Sequence, residues 1–149
     1  MQPKPQRLVQ KNLLYSINTA VNSKLFRHCF IRGADGQEYD ALDNGGLSCA
    51  AVVSGILVLN DMIDKIHATV QTTVQAMLEH GWVKTEAPVP GSVVHWPPGP
   101  NGHEHLGFYI AKDTAMSNSS EDGVPALQDI NMSDGREPDA FYVHPKLLS

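Results

Sequence analysis

Between Cys49 and Leu59 the chain reads CAAVVSGILVL, a helix-length run with almost no polar side chain. A helix that is apolar on every side cannot lie on a surface, because a surface helix keeps one polar face. The rest of the chain must therefore wrap it, and 149 residues suffice for one core of that kind. The segment Asn44-Gly45-Gly46-Leu47-Ser48 leads into the run, so Cys49 stands where a flexible loop becomes helix. Unpaired amides and the dipole at a helix N-terminus favour negative charge, which suits a thiolate. The plainer reading of Cys49 is a small buried hydrophobe at the start of a core helix.

Taken in order, residues 6–22 place Leu13, Leu14, Ile17, Ala20 and Val21 at helical spacing, which predicts an amphipathic first helix. Leu25 to Arg32 (LFRHCFIR) predicts a strand ending at the Gly33-Ala34-Asp35-Gly36 turn, with Cys29 inside it as a buried structural thiol. Residues 37–46 read as polar loop with a short extended piece around Tyr39. A third helix is expected from about Asp64, its cap, to Glu79, with Gly81 as its stop. After the linker Ala87-Pro88-Val89-Pro90-Gly91, strands are expected at 92–96 (SVVHW), at 105–111 (HLGFYIA), from the Lys112-Asp113 turn to Ser119, and at 141–144. Residues 121–139 read as polar and irregular. Helices followed by an antiparallel sheet define an α+β class, here in a single domain spanning residues 1–149.

Composition narrows the function. A net charge of −5 and a pI near 5.7 argue against nucleic-acid and anionic-membrane partners. No apolar run approaches the roughly 20 residues that span a bilayer. The N-terminal residues lack a signal-peptide core, so the sequence as written is expected in the cytoplasm unless another system exports it. Two cysteines do not make a disulfide scaffold.

A cysteine nucleophile needs a base, and the base needs a third group to fix its ring. His105 opens a strongly apolar strand directly after a glycine-rich loop, where a ring can be held and still reached. Ser117, Asn118 and Ser119 follow on the next strand. Neighbours on a strand face opposite sides, so only one of Ser117 and Asn118 can point at His105. An amide oxygen accepts from an imidazole N–H, which favours Asn118.

These segments, Gly91-Ser92-Val93-Val94-His95-Trp96, His105-Leu106-Gly107-Phe108-Tyr109-Ile110-Ala111 and Ala115-Met116-Ser117-Asn118-Ser119, together with the Cys49 helix start, resemble the NlpC-type cysteine peptidases and amidases. The resemblance covers about residues 37–119 and marks a divergent member. Ser48 stands where the family has Asp, Ala50-Ala51 where it has Ser-Gly, and Ser92 where its middle motif has Asp. The resemblance implies a papain-like fold with the cysteine-bearing helix packed on an antiparallel sheet. It also implies hydrolysis of amide bonds in peptides of the peptidoglycan type. Cys49 would be the nucleophile and His105 the general base and acid, oriented by Asn118 on chemistry or by Ser117 on alignment. Tyr39, Ser48, Trp96 and His103 are the expected substrate contacts, and no cofactor or metal is called for.

Two other classes fit parts of the pattern. A catalytically silent module of the same fold accounts for the altered neighbours of Cys49. A zinc hydrolase would draw on His95, His103, Glu104 and His105, although no His-Glu-x-x-His helix is present.

Overall fold

The computed structural model describes residues 2–148. Its central element is α2 (Cys49–Leu59), buried from Ala50 through Leu57, as an apolar segment without a polar face requires. Helix α1 (Val9–Ala20) covers it with Leu13 and Ile17, both fully buried. Between these helices lies a small hairpin, β1 (Phe30–Arg32) paired with β2 (Glu38–Asp40). Helix α3 (Val70–Glu79) follows α2, and the remaining chain forms a six-stranded antiparallel sheet. Its strands are β3 (Val83–Thr85), β4 (Val93–Trp96), β5 (His105–Ala111), β6 (Thr114–Ser119), β7 (Val124–Asp129) and β8 (Ala140–Val143), in the spatial order β3-β8-β4-β5-β6-β7. A short 3₁₀ turn, Pro145–Leu147, closes the described chain.

Alternation along β5 divides the sheet into two faces. Leu106 and Phe108 join Val52, Val53, Ile56 and Leu57 of α2 in the main core. The opposite face carries a smaller cluster of Val94, Trp96, Ala115 and Ile130, with Tyr109 packed against it. Each fully buried side chain of this size contributes about 1.5–3 kcal/mol. In α2, Gly55 leaves room for the Phe26 ring, which would overlap a Cβ there. Ser54 is buried, but its hydroxyl donates to the Ala50 carbonyl at 2.7 Å and accepts from the His67 amide at 2.8 Å.

Four local expectations change. α3 starts at Val70, capped by Thr69, whose hydroxyl accepts from the Thr72 amide; Asp64 instead pairs with His67. The predicted strand from Leu25 shrinks to Phe30–Arg32, so Cys29 lies just outside it and is exposed rather than buried. Its amide is held by the Asp40 carboxylate at 2.9 Å. Strand β7 lies within the segment expected to be irregular, and β3 occupies residues for which no strand was expected. β5 and β6 pair as Gly107↔Ser117, Phe108↔Met116 and Tyr109↔Ala115, and then slip by one at Ile110 to Ala111↔Thr114.

Candidate active site

The loop before Cys49 is fastened rather than free. Asp40 accepts from the amides of Cys29, Leu42 and Asn44 and from the His28 ring. Burial opposes its charge, but these donors prevail and hold its carboxyl well below the usual range. Gly45 has φ +88°, and a Cβ on it would overlap the Gly123 backbone. Its carbonyl accepts from the Asn118 side-chain amide at 2.7 Å. The Gly-Gly segment is thus pressed against β6 and the turn that follows it, which aims the start of α2 at the sheet.

Cys49 is partly exposed. Burial of its sulfur pushes the thiol pKa up, against backbone N–H groups of Leu106, Ala50 and Cys49 itself and the Arg136 charge, which all favour the thiolate. The helix start helps as expected, and desolvation outweighs it. The Leu106 amide places the sulfur beside the first peptide of β5, next to His105.

His105 shares its sheet face with Trp96, its cross-strand partner, and their ring centroids lie 5.4 Å apart. The imidazole Nε2 is 2.9 Å from Ser117 Oγ, and the Ser117 hydroxyl donates in turn to Gln128 Oε1 on β7. Nδ1 makes no hydrogen bond among the described residues. Burial pulls His105 down to about 4, the Arg136 charge adds to this and Asp134 opposes it. At neutral pH the free protein therefore holds Cys49 as a thiol and His105 as a neutral imidazole, with no hydrogen bond between the two side chains.

Of the two orienting candidates, Ser117 reaches His105, and Asn118 faces the other way, toward Gly45. Ser48 and Trp96, expected as substrate contacts, are 1% and 0% exposed and so present almost no surface to solvent. The Trp96 indole N–H donates to the Ile130 carbonyl at 2.8 Å, and its ring braces His105. Tyr39 is exposed on the β1–β2 hairpin, and His103 is exposed in the loop before β5.

Arg136 and Gln128 carry no signal in the sequence, since both lie in the segment that reads as irregular. The Arg136 guanidinium donates to the Pro97 and His103 carbonyls at 3.0 and 3.2 Å and pairs with Asp134. Gly99 admits it, because a Cβ there would fall 2.7 Å from the guanidinium carbon. Arg136 so ties the loop before His105 to the loop before β8. A cavity of about 630 Å³ flanks these loops, lined by Gln128, Arg136, Asn101, Asp129 and Asp134 among others, and Cys49, His105 and Ser117 do not line it.

The histidines weighed as zinc ligands turn to separate partners. His95 lies between Asp139 and Glu104, while His105 bonds Ser117. Among the described residues no group of three or more His, Cys, Asp or Glu side chains is arranged to hold a metal ion. No described helix is long and apolar enough to cross a membrane.

No family model matches the sequence, and neither does any curated protein. Among solved structures the chain is similar to NlpC2 from Trichomonas vaginalis, with a TM-score of 0.53 at 14% identity over 94% of this chain and 47% of that one. The chain thus spans about half the length of that neighbour. At such identity the likeness speaks for the fold, an NlpC-like α+β fold of the papain-like type.

Proposed function

We propose that this chain is a cysteine-dependent amide hydrolase of the NlpC type, with Cys49 as nucleophile, His105 as base and Ser117 as orienting group. The observation that carries this reading is the His105–Ser117 hydrogen bond beside a cysteine at the head of the central helix. Ser117 steadies Nε2 and leaves Nδ1 for the thiol. With both groups neutral at rest, the proton passes from sulfur to Nδ1 as the sulfur attacks the substrate carbonyl carbon, so the base acts during attack rather than before it. The Cys49 backbone N–H, unpaired at the helix start, faces the developing oxyanion. His105 then gives the proton to the leaving amine, the C–N bond breaks and a thioester forms. Water, deprotonated by His105, releases the acid and restores the thiol.

Peptidoglycan-type peptides are the proposed substrates. In the neighbouring cavity Asp134 is paired with Arg136, which leaves Glu121 and Asp129 unbalanced, and these suit a peptide bearing a free amino group. The test is incubation with peptide fragments of peptidoglycan and mass-spectrometric detection of cleavage. Cleavage that Cys49→Ala leaves unchanged refutes the proposal.

A silent binding module is the second reading, favoured by the raised thiol and lowered imidazole pKa. It predicts that these fragments bind without being cut and that Cys49 reacts no faster than a free thiol.

A further inference from the structure

Serine is an ambiguous orienting group. Its hydroxyl has one proton and two lone pairs, so it can accept from a histidine N–H or donate to a bare ring nitrogen with equal ease. In the first case Nδ1 is left as a base, whereas in the second Nδ1 carries the proton and cannot take one from a thiol. A third residue of this kind needs a further group to fix its direction.

We infer that Gln128 is that group, a positioning residue that sets the tautomer of His105 through Ser117; the inference rests on the hydrolase reading given above. β6 and β7 pair as Ser117↔Ala126 and Ala115↔Gln128, so Gln128 and Ser117 share a sheet face one diagonal step apart. The Ser117 proton goes to Gln128 Oε1, an atom that can only accept. A lone pair on Ser117 therefore faces His105 Nε2, which must donate, and Nδ1 remains free for the thiol. A packing role does not account for this residue. Gln128 Nε2 is buried without a hydrogen-bond partner, a cost that leucine or methionine would avoid in the same space. Keeping an amide here makes sense when its oxygen is the atom in use.

The test compares Gln128→Glu, Gln128→Met and Ser117→Ala in a Cys29→Ser background, which leaves Cys49 as the sole thiol. The ¹⁵N shifts of the His105 ring at neutral pH report the tautomer directly, and iodoacetamide alkylation across pH reports the base. Glutamate keeps an acceptor at this position and methionine removes it. The expected result is an Nε2–H tautomer in the parent and in Gln128→Glu. The glutamate variant keeps its alkylation rate, with the acidic limb moved to higher pH by the added negative charge. Gln128→Met should show mixed tautomers and an alkylation rate at least tenfold lower, matching Ser117→Ala, with the fold intact by circular dichroism. A Gln128→Met protein with parental tautomer and rate overturns the inference, and so does a folded Gln128→Glu protein that behaves like Gln128→Met. Either result leaves the hydrolase reading standing. If His105→Ala alkylates at the parental rate, the dyad itself fails and the inference falls with it.

Discussion

Acidification is expected to strike this fold most strongly through the His105 ring. Burial holds His105 at about 4 in the folded protein against an ordinary value of 6.5. The folded state therefore binds fewer protons than the unfolded state between these values. The stabilising contribution of the neutral ring is complete above pH 6.5 and is lost as pH falls toward 4. At about 1.4 kcal/mol per pH unit the full loss is about 3 kcal/mol, and nearer 2 kcal/mol once the remaining solvent contact of the half-buried ring is counted. Urea unfolding of the parent and of His105→Gln at pH 7 and pH 4 isolates this contribution, because other titrating groups such as Asp40, Asp64 and His144 are common to both proteins. The parent should lose 2–3 kcal/mol more than the variant over that interval by this same linkage. A difference below about 1 kcal/mol would show that His105 is not buried as a neutral base. The same value places the acidic limb of Cys49 alkylation near pH 4, where an exposed imidazole would place it near 6.5.

Gly107→Ala would set a Cβ 2.6 Å from the Met116 carbonyl and 2.8 Å from Ser117 Cβ, prising β5 from β6 beside the His105–Ser117 bond. Thermal melts should show a loss of about 1–3 kcal/mol, together with a fall in Cys49 reactivity. Asn118→Ala should cost about 1–2 kcal/mol by removing the clamp on Gly45 while retaining the His105 tautomer that Ser117→Ala disturbs, and ring ¹⁵N shifts separate the two. Arg136→Gln removes a cation that lowers both His105 and Cys49, so the acidic limb of alkylation should move to higher pH and the rate near pH 8 should fall.

The most legible parts of the sequence are those whose local pattern and tertiary fate agree. An apolar run bounded by Gly-Gly and Asn60-Asp61 has nowhere to go but the core, and HLGFYIA carries the consecutive strand formers Phe108, Tyr109 and Ile110, so α2 and β5 emerge with their ends correct. Both missed strands lie at the edges of the main sheet. β3 has three residues, and β7 carries Pro125, which an edge tolerates and a central strand does not. Missing β7 concealed Gln128. The helix expected from Asp64 starts later because the His67 backbone is committed to Ser54 of α2, a tertiary bond that no helix-start pattern registers. That Cys49 heads the central helix and His105 opens β5 was legible from order and setting. The burial of Ser48 and Trp96 was not legible, because their positions in the motifs say nothing of which way a side chain faces once the sheet has formed.

The slip at Ile110 reaches further than its own turn. From Ala111↔Thr114 an unbroken ladder would set Asn118 opposite Gly107, on the histidine's face, and would turn Ser117 toward the helix. Because one residue of β5 is left without a partner at Ile110, Ser117 takes that position instead. The chemical identity of the group beside His105 is thus decided by a backbone irregularity five residues along β5 from it, and not only by which side chains β6 encodes. Removing that bulge, with every side chain of β6 unchanged, would present the Asn118 amide to His105 in place of the Ser117 hydroxyl. The ungapped count that names Ser117 agrees with the ladder only because the bulge is there.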